Sequence, residues 1–117
     1  NGTLIFHGDG NQTRDYVYVD DVVNALASAS AVQGVNGQVI NIGSGTETSV
    51  RDLARLVIDI TGGDPEEVFN PRISGGVSRM CADISLAQEK LNYVPLIPLE
   101  MGIRLTLERD PQFKNGD

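Results

Sequence analysis

The alternation of apolar and polar positions predicts three β-strands in the first half of the chain. They are Thr3–His7 (TLIFH), residues 16–19 (YVYV) and residues 38–42 (QVINI). A run of turn-forming residues, GDGN at positions 8–11, separates the first two strands, so we expect antiparallel β structure there. Weaker patterns indicate short strands at residues 68–69 and 80–82, within and after a segment rich in proline and glycine.

Helical spacing of apolar residues predicts four helices between and after these strands. The first is expected to begin at Asp20 and Asp21, whose carboxylates would cap free backbone amides and meet the positive end of the helix dipole. Its apolar face would consist of Val22, Leu26 and Ala29.

The other three helices carry recognisable start and stop signals. Ser49 with Asp52 three residues later is a capping-box pattern, and Gly62 stops the helix that it opens. The third helix is expected to have a cap at Asp83 or Ser85. The fourth is expected to begin after Pro98 and to end at Pro111.

Strands and helices therefore alternate, which predicts a small α/β fold with few strands and about four helices. The length of 117 residues fits a single domain, residues 1–117. A sheet of only three strands leaves edges that another part of a protein has to cover.

Composition and charge exclude several classes of protein. Sixteen acidic residues against nine basic ones give a net charge of −7, which argues against a nucleic-acid partner because such a protein needs a basic face. No stretch approaches the ~20 apolar residues of a membrane span, and no secretory leader is visible, so we expect no membrane partner and a cytoplasmic location. The single cysteine, Cys81, excludes an internal disulfide and a cysteine-built zinc site.

One glycine-rich loop, GSGTET at positions 43–48, follows a predicted strand and precedes a predicted helix. A dinucleotide-binding fingerprint would need a third glycine where Thr48 stands, and an acidic residue that closes a second strand about twenty positions later. We therefore interpret the loop as a plain connection, with a weaker anion contact by the helix N-terminus left open. His7 is interpreted as filling one face of a strand and Cys81 as packing, since the sequence shows no nucleophile–base or carboxylate pair.

Arginines are the most informative charged residues, because seven of the nine basic residues are arginines. The planar guanidinium group suits bidentate recognition of phosphate and carboxylate. Arg14 follows a glycine-rich turn; it either pairs at the surface with Asp15 or Asp9, or is held over a pocket to bind an anion. The same two interpretations apply to Arg72 and Arg79 in the later loop.

Several separated motifs resemble one known family. The run GDGNQTRDYVYVDDVVNA, residues 8–25, is similar to a segment of the extended short-chain dehydrogenases/reductases, the NAD-dependent nucleotide-sugar epimerases and dehydratases. The similarity continues through VINIGSG (39–45), ADISLA (82–87) and LNYVP (91–95) to LEMGI (99–103). It covers practically the whole chain in order and is closest in kind to UDP-glucose 4-epimerase-like members.

The resemblance implies that residues 1–117 form the C-terminal, sugar-nucleotide-binding part of such an enzyme, without its Rossmann core. The family's GxxGxxG loop and Tyr-x-x-x-Lys pair do not occur in the sequence. NAD would therefore be bound by an N-terminal domain, and no catalytic, cofactor-binding or metal-ligating residue is assigned here.

The implied function belongs to the full-length protein. It would be a homodimeric enzyme, with C4 epimerisation of a sugar nucleotide through a transient keto intermediate as the leading reaction and dehydration or decarboxylation as related chemistries. The segment alone would be inactive. The alternative is a free-standing sugar-nucleotide-binding or regulatory module without catalysis.

The resemblance also implies substrate-binding residues. Arg14 matches the arginine of the family's R-D-[FY] segment, which contacts the diphosphate of the sugar nucleotide. Ile5 and His7 match the strand that borders the nucleobase. Asn41 lies in a segment near the nucleotide, and Asp83 stands at a position that can reach the ribose.

A second phosphate-binding arginine is expected from the family's R-x-G-[DE] pattern ahead of A-D. Here the sequence departs from the pattern: residues 72–76 read RISGG, one residue longer and without the acid. Arg72 is the first choice for this role and Arg79 the alternative, because a shifted loop could exchange them.

Overall fold

A computed structural model describes residues 2–114, which contain four short strands and five helices. The strands are β1 (Thr3–His7), β2 (Thr13–Arg14), β3 (Thr48–Ser49) and β4 (Glu66–Asn70). The helices are α1 (Val19–Ala31), α2 (Val50–Thr61), α3 (Ser85–Leu91), α4 (Leu99–Arg109) and α5 (Pro111–Lys114). The predicted mixture of a few strands with about four helices is confirmed, and a short fifth helix begins at Pro111, the residue predicted to end the fourth.

The described chain divides into two compact units, each built from two separate stretches of sequence. The first unit comprises residues 2–15 and 47–81, and the second comprises residues 16–46 and 82–114. The organisation of residues 1–117 as one domain stays a prediction.

The first unit contains a parallel pair of strands, β1 and β4. Their register runs from Thr3 opposite Glu66 to His7 opposite Asn70. The buried ring of Phe6 stacks on its partner Phe69, with ring centroids 4.8 Å apart. The strand predicted at residues 68–69 is therefore confirmed and longer than predicted. The predicted antiparallel pairing of β1 with residues 16–19 is wrong, because β1 pairs with β4.

Helix α2, also in the first unit, begins and ends as predicted. The Ser49 hydroxyl oxygen accepts a hydrogen bond from the backbone N–H of Asp52 at 3.0 Å, and Gly62 ends the helix in the left-handed conformation at φ 73°. The apolar side chains of α2 are half-buried, and they line a groove of about 610 Å³ together with β1.

The second unit has a small hydrophobic core. The buried side chains are Ala25 of α1, Ala87 and Leu91 of α3, and Tyr93 just after α3. Partly buried residues pack around them, including Ile40 and Ile42. The Tyr93 hydroxyl donates a hydrogen bond to the Gly43 carbonyl oxygen at 2.7 Å.

The prediction that Asp20 and Asp21 cap α1 is wrong. The helix begins at Val19 and has no side-chain cap. Asp21 is 2% exposed, and its carboxylate accepts hydrogen bonds from the backbone N–H groups of Leu96 and Ile97, at 3.0 and 3.1 Å. The carboxylate satisfies the amides of a distant segment instead of those of its own helix.

The predicted apolar face of α1 is right in part, because Ala29 packs against the hydrophobic core, and wrong for Leu26. Asp21 and Ala25 are the buried residues of this helix, whereas Leu26 is 66% exposed. The hydrogen bonds made by Asp21 orient this side of the helix inward, which the hydrophobic pattern alone does not reveal.

Three predicted strands do not form. Residues 16–19, 38–42 and 80–82 lie outside the strands, and Val39 is 87% exposed. A strand exists only when a second strand accepts and donates its backbone hydrogen bonds. Within residues 2–114, no strand pairs with any of these segments.

Candidate functional site

The candidate site lies in the first unit, at the carboxyl ends of the parallel strands β1 and β4. Beyond β4 runs the arginine loop, residues 71–80, which carries Arg72 and Arg79. Ligands of α/β proteins commonly bind beyond the carboxyl ends of parallel strands, where loops and backbone amides converge.

Backbone hydrogen bonds join the ends of the two strands. The N–H of Gly8 donates to the carbonyl of Asn70 at 2.9 Å. The side-chain amide of Gln12 donates to the carbonyl of His7 at 3.2 Å and lies against Gly75, where a Cβ atom would be only 2.6 Å from the Gln12 nitrogen. A glycine at position 75 therefore allows the loop to approach the strand end.

Ile5 and His7 share one face of β1, opposite the face that carries Phe6. Ile5 is 58% exposed, and His7 is exposed too. His7 lies on one face of a strand, as predicted, and that face is exposed. Both side chains are accessible to a ligand, and their contact with a nucleobase stays a prediction.

Arg14 is held by backbone carbonyl oxygens. Its guanidinium group donates to Thr13 and Val77 at 2.6 Å each, and to Gly75 at 3.0 Å. These contacts use three of the five guanidinium N–H groups, so two remain for a ligand. The structure thus ties Arg14 to the arginine loop. Because the carbonyl oxygens are neutral, they do not compensate its positive charge.

Arg79 is engaged by a carboxylate. Its Nε and Nη2 atoms donate to the two Glu47 oxygens at 3.0 and 2.7 Å, and the Thr13 hydroxyl donates to the same carboxylate at 2.8 Å. Hydrogen bonds from Arg79 and then from Thr13 lower the pKa of Glu47 from its ordinary 4.5 to about 2. The pKa of Arg79 is raised by the same pair.

Arg72 differs from the other two arginines. Its backbone N–H donates to the Asn70 side chain at 3.1 Å, which fixes the turn after β4. Its exposed guanidinium group makes no hydrogen bond or ion pair with the residues that the structure describes. Of the two alternatives for a second phosphate contact, Arg72 is therefore the one whose charge no carboxylate compensates among the described residues.

Sequence reasoning missed Glu47, Thr13 and Arg51 as parts of this region. The Arg51 guanidinium stacks 4.7 Å from the centroid of the Phe69 ring and donates to the carbonyl of Asp9 at 3.1 Å. Its Nε atom is buried without a hydrogen-bond partner in the described part of the chain. No spacing rule links these residues, because they meet only through the pairing of distant segments.

Asn41 and Asp83 belong to the second unit, and both are exposed. The Asp83 carboxylate accepts hydrogen bonds from the Ser85 hydroxyl at 2.6 Å and from the Ser85 backbone N–H at 3.0 Å, which lower its pKa. This contact lies just before α3. The predicted cap at Asp83 or Ser85 is wrong, because Ile84 stands at the N-cap and no side chain caps the helix. Roles in ligand binding for Asn41 and Asp83 stay predictions.

Cys81 is exposed, so its interpretation as a packing residue is wrong. Its thiol pKa is raised by partial burial of the sulfur and by the negative charges of Asp15 and Glu47. Among residues 2–114, no group of three or more His, Cys, Asp or Glu side chains could hold a metal ion. No helix in the same range is long and apolar enough to cross a membrane.

The loop at residues 43–48 and the N-terminus of α2 do not fit a dinucleotide cofactor. At the N-terminus of α2, Ser49 already caps a backbone amide and Asp52 adds a negative charge to the first turn. At Gly45 a Cβ atom would be 3.1 Å from the Ile84 side chain, so that side chain occupies the space beside the glycine. A pyrophosphate needs both unoccupied amides and close approach at a glycine. The loop at residues 43–48 is therefore not a dinucleotide site.

Comparison with known proteins agrees with the sequence motifs. Residues 1–43 match the sequence profile of the NAD dependent epimerase/dehydratase family. The chain is 42% identical over 106 residues to a UDP-glucose 4-epimerase of Mycolicibacterium smegmatis, covering 91% of this chain and 33% of that protein.

Solved structures give the same result. A UDP-glucose 4-epimerase of Thermotoga maritima, crystallised with UDP-glucose, matches with a TM-score of 0.82 and 42% identity, over 91% of this chain and 34% of that one. A UDP-glucuronic acid 4-epimerase of Bacillus cereus, in complex with NAD, matches with a TM-score of 0.81 and 32% identity, over 98% of this chain and 35% of that one. The resemblance stated from the motifs is confirmed, and the chain spans about a third of the length of these relatives.

Proposed function

We propose, on the confirmed resemblance to the NAD-dependent epimerase/dehydratase family, that this chain is the sugar-nucleotide-binding portion of such an enzyme. The reaction of the whole enzyme would be C4 epimerisation of a nucleoside-diphosphate sugar through a transient keto intermediate. The observation that carries the proposal is a pair of arginines with available N–H donors, Arg14 and Arg72, around the carboxyl ends of a parallel strand pair.

A diphosphate is the ligand that this arrangement suits best. The net charge of −7 repels an anion at long range, so binding requires localised positive charges. Arg14 supplies two guanidinium N–H groups whose position is fixed by the loop carbonyls, and Arg72 supplies a guanidinium group at the edge of the same loop. Charge-assisted hydrogen bonds from both would hold the two phosphates.

The remaining contacts follow from the matched positions. Ile5 and His7, exposed on one face of β1, would border the nucleobase. Asn41 and Asp83 would contact the nucleotide and its ribose. Arg79 is assigned no phosphate contact, because the Glu47 carboxylate already compensates its positive charge.

The division of labour within the enzyme is part of the proposal. NAD and the acid/base residues would be supplied by a domain outside residues 1–117, and the whole protein would be a cytoplasmic homodimer. This chain would bind and orient the sugar nucleotide, while hydride and proton transfer would take place elsewhere.

Calorimetric titration with UDP tests the binding role. We expect Arg14→Ala to weaken binding by about 1.5–3 kcal/mol, the range of a hydrogen bond to a charged group. Arg55→Ala is the matched control, since Arg55 lies exposed on α2 and only approaches Asp52, at 4.0 Å. Unchanged affinity in Arg14→Ala, or an equal loss in Arg55→Ala, would contradict the proposed site.

A second titration tests whether Arg72 contacts a phosphate. Arg72→Ala is expected to reduce the affinity for UDP more than the affinity for uridine, because it removes a phosphate contact. An equal loss for both ligands would remove Arg72 from the phosphate site.

A further inference from the structure

Glu47 accepts three side-chain hydrogen bonds near the candidate site, and neither the sequence motifs nor the proposed function gives it a role. It lies immediately before β3 and is 28% exposed, whereas its partner Arg79 is 77% exposed. The two side chains form a bidentate pair, with nitrogen–oxygen distances of 3.0 and 2.7 Å. An exposed ion pair adds little stability by itself, so its significance has to be sought in geometry.

Hydrogen bonds of Glu47 and Thr13 hold one end of the arginine loop in place. Glu47 holds Arg79 from the loop and also accepts the hydroxyl of Thr13 on β2. Thr13 continues the connection, because its backbone N–H donates to Ser78 at 2.9 Å and its hydroxyl oxygen accepts from the N–H of Met80 at 3.4 Å. The end of the loop is thereby held against β2.

Arg14 depends on this fastening. It is the residue directly after Thr13, and its guanidinium group is oriented by the carbonyl oxygens of Gly75 and Val77 in the same loop. If the end of the loop moves, these two acceptors move with it. The position of the Arg14 donors is therefore coupled to the carboxylate of Glu47.

We propose that Glu47 is a positioning residue for the anion site: by holding Arg79 and Thr13, it keeps the loop carbonyls on Arg14 and directs the remaining Arg14 donors toward the phosphates of a sugar nucleotide. The inference rests on the proposed function. It also gives Arg79 a structural partner in place of a phosphate.

Phosphate binding by Arg79 would change the UDP affinity of a Glu47 variant in the opposite direction. If Arg79 binds phosphate, Glu47 competes with the ligand for the same guanidinium group, and removing its charge strengthens binding. If Glu47 positions Arg14, removing its charge weakens binding. A titration of one variant therefore distinguishes the two.

The experiment compares UDP affinities of the chain and of Glu47→Gln, Arg79→Gln and the double variant. We expect each single variant to bind UDP roughly fivefold or more weakly, and the double variant to bind no more weakly than either one, because all three lose the same contact. Glu100→Gln is the control, since Glu100 forms an exposed pair with Arg104 at 3.0 Å and is expected to have no effect.

An Arg14→Ala background shows whether Glu47 acts through Arg14. There, Glu47→Gln is expected to change the UDP affinity less than twofold, whereas a residue with only a general structural role would weaken binding in both backgrounds. Stronger binding by Glu47→Gln, an unchanged affinity, or an equal loss in the Arg14→Ala background would each overturn the inference while leaving the proposed function intact. Absence of UDP binding by the unmodified chain would overturn the proposed function and this inference with it.

Discussion

Two adjacent aspartates at the start of α1 perform different tasks. The carboxylate of Asp20 is about half exposed and accepts a hydrogen bond from Arg109 at 2.9 Å. That of Asp21 is buried and accepts two backbone N–H groups from the segment before α4. Burial of a carboxylate is costly unless hydrogen bonds compensate it, and here they also join α1 to the segment before α4.

Substitution of this pair separates the two tasks. Asp21→Ala leaves two backbone N–H groups without their acceptor, and we expect it to lower the free energy of unfolding by about 1.5–3 kcal/mol. Asp20→Ala removes only a surface ion pair and is expected to cost less than about 1 kcal/mol. Urea unfolding followed by circular dichroism measures both values, and equal losses would contradict the assignment of Asp21.

The ionisation of Glu47 makes the free energy of unfolding depend on pH in the acidic range. Its pKa is about 2 in the folded chain, below the ordinary 4.5, and the charged group that faces it is the guanidinium of Arg79. A lowered pKa contributes stability that is fully present above the unfolded value and is lost as the pH falls through the folded value. The contribution should therefore disappear between about pH 4.5 and pH 2.

The measurement is the difference in urea unfolding between the unmodified chain and Glu47→Gln, at pH 7 and at pH 3. Subtraction removes the effect of the other carboxylates. We expect the difference to be larger at pH 7 than at pH 3. A difference that does not change with pH would show that the charge of Glu47 contributes nothing to folding.

Helix α2 shows how local signals define an element. The Ser49 hydroxyl satisfies one amide of the first turn, and Gly62 supplies the left-handed residue that ends the helix. We expect Ser49→Ala to lower the free energy of unfolding by about 1 kcal/mol. Ser30→Ala is the control, because the exposed Ser30 hydroxyl donates only to a carbonyl within α1. A smaller loss for Ser49→Ala than for Ser30→Ala would argue against the cap.

Elements that depend on distant partners were harder to predict than α2. The YVYV and QVINI segments have the composition of strands, yet the described residues offer them no strand to pair with. β1 was predicted correctly as a strand, but its partner, β4, lies about sixty residues further along the chain. The capping signals act within three residues, whereas strand pairing is decided by segments that a local pattern cannot identify.

Apolar side chains remain exposed on the first helix. Val19, Val23 and Leu26 are spaced along one face of α1 and are 59%, 53% and 66% exposed. A surface with such a stripe binds hydrophobic dyes even when the chain is folded. We therefore expect fluorescence of the dye ANS to increase with the folded chain.

Substitutions on the stripe test its contribution to dye binding. The double variant Val23→Thr and Leu26→Gln should lower the fluorescence without changing the urea midpoint, and Asn24→Gln on the same helix should change neither. An unchanged fluorescence in the double variant would place the dye elsewhere.

Catalysis by the chain alone is not expected. The loop at residues 43–48 does not fit a dinucleotide, and in the sequence no tyrosine is followed four positions later by lysine. Incubation with NAD and UDP-glucose should therefore yield no UDP-galactose by chromatography, with a full-length UDP-glucose 4-epimerase as the positive control. Product formation by residues 1–117 would contradict the proposed division of labour.

The sequence by itself determined the local features of this protein: the α2 cap and stop, the strand β1, the short strand within residues 66–70, the core positions of α3, and the motifs that carry the family resemblance. These depend on neighbours within a few positions, where propensity and capping dominate. Only the tertiary structure decided that Asp21 is buried, that Glu47 engages Arg79, and that Arg14 is held by the carbonyls of a loop more than sixty residues away. Each of these contacts joins distant segments, and a buried or paired charge is defined by its surroundings, which a sequence pattern does not contain.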